Sequence, residues 1–214
     1  MRIPLVAKTL PFAVILAAVL VACDDSLAPE PLPLDTTEPA YALAWLGTPV
    51  IDQHQKIADP SRPLAIQPPG VGQNLAQTFT AGRRGELAYV RLPVACDAGS
   101  LVRIQILKNG LLGGILSDYT YDPAHTVQDG TFLNFQIYSY VPMVPGRIHA
   151  IVLSSLARRG SSSPPSCSIS SGPAGDSYPG GGAYYEDIPT NGPGWLPLPN
   201  RRNHGDLPFG TLLR

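Results

Sequence analysis

The stretch Val102-Arg103-Ile104-Gln105-Ile106-Leu107-Lys108-Asn109-Gly110 decides the fold. Val102, Ile104 and Ile106 fall on one side of an extended chain and Arg103 and Gln105 on the other, the period-two pattern of a strand with one face on a core. Lys108-Asn109-Gly110 then signals a hairpin, because Asn-Gly accepts the positive φ angles of a tight reversal, and a second run follows from Ile115 to Tyr121. The pattern repeats outward in both directions. Upstream lie Thr48 to Asp52, Asn74 to Thr80 and Glu86 to Val94, the last with Val90, Leu92 and Val94 on one face. Downstream lie Phe132 to Tyr138, with Leu133, Phe135 and Ile137 aligned, then Arg147 to Ser154, Ala183 to Asp187 and Leu207 to Leu212. Val144-Pro145-Gly146 turns the chain into the strongest run, Ile148 to Leu153. Gly, Pro, Asn and Asp punctuate these runs at short intervals, and no segment sustains the spacing of an amphipathic helix. The prediction is all-β: one antiparallel sandwich of about eight or nine strands over residues 46–214. Gly160 to Gly175, GSSSPPSCSISSGPAG, is rich in Ser and Pro and is predicted as a surface loop pinned at Cys167.

Composition sets the outer limits. The chain has 214 residues, 14% of them charged, a formal net charge of −1, 24 prolines and 21 glycines. That suffices for one domain with a core plus a tether. It is no polycation, which excludes a general nucleic-acid binder. Lysine occurs only at Lys8, Lys56 and Lys108, while arginine comes in the pairs Arg83-Arg84, Arg158-Arg159 and Arg201-Arg202. Each pair sits beside loop residues and reads as a solvated loop, with an acidic-ligand site as the alternative.

The N-terminus carries an address. Arg2 and Lys8 precede an apolar run from Leu10 to Ala22, which ends in Leu20-Val21-Ala22-Cys23. The run is shorter than the ~20 residues that a membrane-spanning helix needs, and its order of basic start, apolar run and small residue is that of a signal peptide, residues 1–22. Leu-x-Ala-Cys resembles the lipobox of bacterial lipoproteins. The resemblance implies acylation of Cys23, which becomes the mature N-terminus and anchors the chain to a bacterial membrane facing the periplasm or the exterior. Asp24 resembles an inner-membrane retention signal, although that rule varies between lineages. Residues 23–45 form a tether: from Asp24 to Ala40 it holds five acids, no base and repeated prolines, a composition that stays extended.

Assigning Cys23 to lipid leaves Cys96 and Cys167. An oxidising envelope favours a disulfide between them, two buried free thiols being the alternative. Neither has a second Cys or His at zinc-ligand spacing.

A second resemblance covers about Gly70 to Arg214. Gln77-Thr78-Phe79-Thr80-Ala81 with Gly85, Gly146-Arg147-Ile148-His149-Ala150-Ile151-Val152-Leu153, Tyr178-Pro179-Gly180-Gly181-Gly182-Ala183-Tyr184-Tyr185, Trp195, and Asp206-Leu207-Pro208-Phe209-Gly210-Thr211 resemble, in that order, a jelly-roll module. It recurs in secreted and surface-anchored bacterial proteins and is similar to carbohydrate-binding modules. His149 stands where that pattern has an aromatic, and Pro208 where it has a freer residue. From the residues themselves, Phe79 is a core anchor, Gln77 shares its face with a hydrogen bond to nearby backbone, and Gly180 to Gly182 are expected to take positive φ before a strand.

The search for chemistry is largely negative. There is no G-x-S-x-G, no S-x-x-K and no catalytic-cysteine context, so no enzyme activity is assigned. His54, His125, His149 and His204 are scattered singly, and His149 reads as a hydrogen-bonded sheet histidine. No metal site and no cofactor are expected, beyond a structural calcium held by loop oxygens. Asp118, Asp122, Asp129, Asp176, Glu186, Asp187 and Asp206 are the acids from which a glycosidase pair would have to come; most sit beside turn residues and read as solvated. Tyr178, Tyr184, Tyr185 and Trp195 form the one set with a binding character, since flat rings stack on sugars; the alternative is that Tyr185 and Trp195 fill or cap the core.

These readings lead to a lipid-anchored envelope protein whose sandwich is a non-catalytic binding or structural module. A polysaccharide or envelope glycan is its expected ligand. A glycoside hydrolase or lyase on the same fold, or an envelope assembly subunit with an apolar patch or open sheet edge, are the rivals.

Overall fold

The computed structural model describes residues 48–68, 73–123, 130–173, 178–187, 194–198 and 205–214. The signal peptide, Cys23 and the tether lie outside the described residues, as do His125, Asp129, Asp176, Arg201, Arg202 and His204. Among the described residues the chain forms fourteen strands: β1 (Val50–Gln55), β2 (Asp59–Ile66), β3 (Gln73–Thr80), β4 (Gly85–Leu92), β5 (Val94–Cys96), β6 (Ser100–Lys108), β7 (Ile115–Tyr121), β8 (Leu133–Gln136), β9 (Pro142–Met143), β10 (Ile148–Ala157), β11 (Cys167–Ser171), β12 (Ala183–Asp187), β13 (Trp195–Pro197) and β14 (Phe209–Leu213). They make a five-stranded sheet in the order β1-β14-β4-β8 with β9 also on β4, a six-stranded sheet β13-β12-β3-β10-β6-β7, and a three-stranded sheet β2-β11-β5. Every pairing is antiparallel. The all-β sandwich expected from the alternation is therefore present, with five more strands than the nine runs read from sequence.

Where strands were missed, local chemistry explains it. β2 contains Pro60 and Pro63, which argue against a central strand; it lies at the edge of its sheet, where a missing N–H is tolerated. Glu86 to Val94 is not one strand. Pro93 cannot donate to a ladder, so β4 ends at Leu92 and the chain passes to the three-stranded sheet as β5. The surface loop expected from Gly160 to Gly175 is corrected most sharply: β11 is the central strand of the three-stranded sheet, with Cys167, Ile169, Ser170 and Ser171 buried. Serine is small enough to enter a core, and the ladder rather than the side chain satisfies its backbone.

The Asn-Gly hairpin forms, with Asn109 at φ 58° and Gly110 at φ 81°. Its loop extends from Asn109 to Gly114, between β6 and β7, and is closed by Lys108 N–H donating to the Gly114 carbonyl.

The inner faces meet in one core. Leu75, Phe79, Ile104, Ile106, Ile151 and Leu153 come from the six-stranded sheet, Val90, Leu92, Phe135 and Phe209 from the five-stranded one. Leu64, Ile66, Val94 and Ile169 extend it into the third sheet. Cys96 and Cys167 face each other across β5 and β11, 4.0 Å apart at Cα, and are joined by a disulfide. His149 and Phe79 stack at 5.6 Å between ring centres, and Phe79 and Tyr178 both pack on Phe209. His149 is buried, its ring beside the Leu107 backbone carbonyl rather than in a well-formed hydrogen bond.

Candidate functional site

Period-two geometry separates the four aromatic residues singled out from sequence. Adjacent strand residues face opposite sides of a sheet, so Tyr184 and Tyr185 cannot share a platform. Tyr185 packs against the main core. Tyr178 is buried there too, its ring against Phe209 and its hydroxyl donating to Gln53 Oε1 at 2.9 Å; burial pushes its hydroxyl pKa up to about 12. These two do not belong to a ligand surface. Tyr184 and Trp195 do share a face, the outer one of the six-stranded sheet, where both are half-buried beside Ala76, Leu107, Ala150 and Val152.

The register describes this face in rows. Pro197, Tyr184, Ala76, Val152, Gln105 and Asp118 stand side by side from β13 to β7. In the next row Trp195 pairs with Glu186 and Glu186 with Asn74. The small Ala76 and Ala150 keep the centre low between the rings on one side and Leu107 with Leu111 on the other. Polar groups line both ends. Asn74 Nδ2 donates to Glu186 Oε2 at 2.9 Å, while Asn74 Oδ1 is buried without a partner. At the far end Arg103 Nε donates to Asp118 Oδ1 at 2.8 Å and Gln105 Nε2 to Asp118 Oδ2 at 3.0 Å. The Arg103 guanidinium, helped by Gln105, holds the Asp118 carboxyl below the usual carboxylate range.

Asp118 lies in β7, the run read as a strand, and is engaged by Arg103 at the surface; Asp122, also at the surface, pairs with Arg158. Asp206 is buried, not solvated: its Oδ1 accepts from Gln77 Nε2 at 3.2 Å and its Oδ2 from Tyr178 N–H at 2.9 Å. Gln77 also donates to the Thr78 carbonyl, the backbone bond expected of it. Glu186 and Asp118 share the outer face across four strand spacings, roughly 19 Å, far beyond the ~5 to 9.5 Å of a glycosidase pair. Among the described residues no three of His, Cys, Asp and Glu gather to hold a metal.

The glycines before β12 act by close approach. None of Gly180 to Gly182 has positive φ; a Cβ on Gly181 would stand 1.9 Å from the Thr78 carbonyl oxygen. Bare backbone there lets Gly182 N–H reach Thr78 Oγ1 at 2.8 Å, and so docks β12, with Tyr184, onto β3.

A further aromatic group went unnoticed in the sequence. Tyr119 lies 5.3 Å from Tyr138 and 6.4 Å from Tyr121, which meets Phe135 edge-on and donates to the Gln136 carbonyl. These rings join the β7 edge of one sheet to the β8 end of the other; Tyr138 and Tyr140 are exposed on the rim. Tyr138-Ser139-Tyr140 alternates outward between buried Ile137 and Val141, a signal the sequence did carry.

No family model matches this chain, and no curated protein matches it at a significant level.

Proposed function

We propose that this is a lipid-anchored envelope protein, acylated at Cys23, whose sandwich is a jelly-roll relative that binds glycan without chemistry on the outer face of its six-stranded sheet. The observation that carries the reading is the shared placement of Tyr184 and Trp195 on the non-core side of that sheet, beside the Asn74–Glu186 pair. Rings laid on a sheet offer flat apolar area to the faces of sugars. Carboxylate and amide groups beside them suit sugar hydroxyls, and the Arg103–Asp118–Gln105 group offers the same at the far end. The tether expected over residues 23–45 would hold this face clear of the lipid.

The test is retention of the purified chain in gels containing neutral or acidic polysaccharides, run beside a melting curve. Trp195→Ala should melt within a few degrees of the parent, because Trp195 lies outside the main core, and should lose retention. A core Trp would instead cost about 3–5 kcal/mol. Folded Trp195→Ala and Tyr184→Ala proteins that are retained as well as the parent would end the reading.

A further inference from the structure

The outer face of the other sheet carries a different kind of site. Ile51 pairs with Leu212, and His54 with Gly210, which pairs in turn with Arg91, so these residues share one face of β1, β14 and β4. Phe132, just before β8, adds to the side, and together with Lys56 they line a half-open cavity of about 220 Å³. That is smaller than the ~300–1,000 Å³ of drug-sized ligand sites, and suits one small ring.

The lining is one-sided. Two cations, Arg91 and Lys56, line the cavity together with the imidazole of His54, and no carboxylate is among the described lining residues. Three other arginines of the domain are matched by carboxylates: Arg103 by Asp118, Arg158 by Asp122 and Arg214 by Glu86. Arg91 makes no ion pair with a described residue; its guanidinium lies 5.9 Å from the centre of the Phe132 ring, and its Nε is buried with no hydrogen-bond partner. A buried donor left unpaired is unfavourable unless something else supplies the acceptor. Gly210 completes the arrangement. A Cβ there would stand 3.4 Å from Arg91 Cβ and 3.6 Å from its Cδ, so its hydrogen leaves the floor open beneath the guanidinium stem.

We propose that this cavity is a second binding site, separate from the outer face of the six-stranded sheet, and that its ligand is a sugar-sized ring bearing a carboxylate or phosphate. The anion is held by Arg91 with Lys56 and His54 at the rim. The ring body rests against Phe132, Ile51 and Leu212, whose apolar walls give a bare inorganic anion nothing to contact.

The experiment titrates the full chain in mild detergent with glucuronate, glucose 6-phosphate, methyl glucoside and inorganic phosphate, by calorimetry. One or both charged sugars should bind with a dissociation constant on the order of 1 mM, more weakly at high salt; which of the two binds identifies the carboxylate or the phosphate as the natural anion. Lys56→Gln, on an exposed side chain and so harmless to folding, should weaken binding about tenfold. Gly210→Val, which fills the floor and leaves every charge in place, should remove it. Methyl glucoside binding as tightly as the charged sugars, inorganic phosphate binding as tightly as glucose 6-phosphate, no saturable binding of either charged sugar, or affinity unchanged in both variants would each overturn the proposal.

Discussion

The side-chain amide of Gln77 reaches the carboxylate of Asp206, 129 positions further along the chain, and both residues are buried. The same Gln77 accepts from Leu207 N–H at 2.7 Å through its Oε1. One β3 side chain thus fixes the approach to the last strand, and Asp206 adds the Tyr178 backbone to the junction.

Removing that carboxylate takes away the acceptor of the buried Tyr178 N–H bond and one of the two acceptors of the Gln77 amide, which keeps the Thr78 carbonyl. Asp206→Ala should therefore destabilise the domain by about 3 kcal/mol. Gln77→Ala should cost about 2 kcal/mol, and the double variant less than the sum. Urea melts of the four proteins measure this; strict additivity would mean that the two side chains act independently.

His149 gives a pH dependence of known sign. Burial, assisted by the charge of Arg147, lowers its pKa, while the nearby Leu107 carbonyl and Asp52 oppose the shift only in part. The unfolded chain takes up a proton near pH 6.5 that the folded ring refuses. This contribution is intact above that pH and is lost as the pH falls through it, at a slope of at most about 1.4 kcal/mol per pH unit. His149→Phe keeps the stacking on Phe79 and should flatten the decline between pH 7 and 5 in parallel denaturation series.

The Cys96–Cys167 bridge closes a loop of sequence separation 71, for which chain entropy gives about 4 kcal/mol. A Cys96→Ala, Cys167→Ala double variant should melt on the order of 10 °C lower. Scanning calorimetry in the absence of reductant reads the difference.

The anchor is tested by mass. In a bacterial host Cys23→Ser should block acylation and the cleavage coupled to it, leaving an unlipidated precursor. Equal mature masses and equal membrane fractionation for the two proteins would remove Cys23 from the account.

Alternation made most of the strands legible, because a half-buried strand records its core face in every second residue. Ile115–Tyr121 and Ala183–Asp187 agree residue for residue with the observed strands. The record fails where both faces are covered or where composition is misleading. β10 is buried from His149 to Ser155; Ala150 and Val152 lie under Tyr184, Trp195 and Leu111 on the outer side, so the site-bearing face hid inside an apolar run. β11 looked like loop because its serines are polar, yet Ser170 and Ser171 are buried. The separation of Tyr184 from Tyr185 was available from strand parity alone. The cavity beside Arg91 was not, since it depends on β1, β4 and β14, remote in sequence, lying side by side.

Among the described residues β1 pairs only with β14, the first strand with the last. A nascent chain therefore carries β1 as an unmatched edge until Phe209–Leu213 has emerged, and no truncated product can close the five-stranded sheet. Without Phe209–Leu213 the facing edges of both β1 and β4 would stand open to pairing with other chains, so this short strand seals the middle of the sheet.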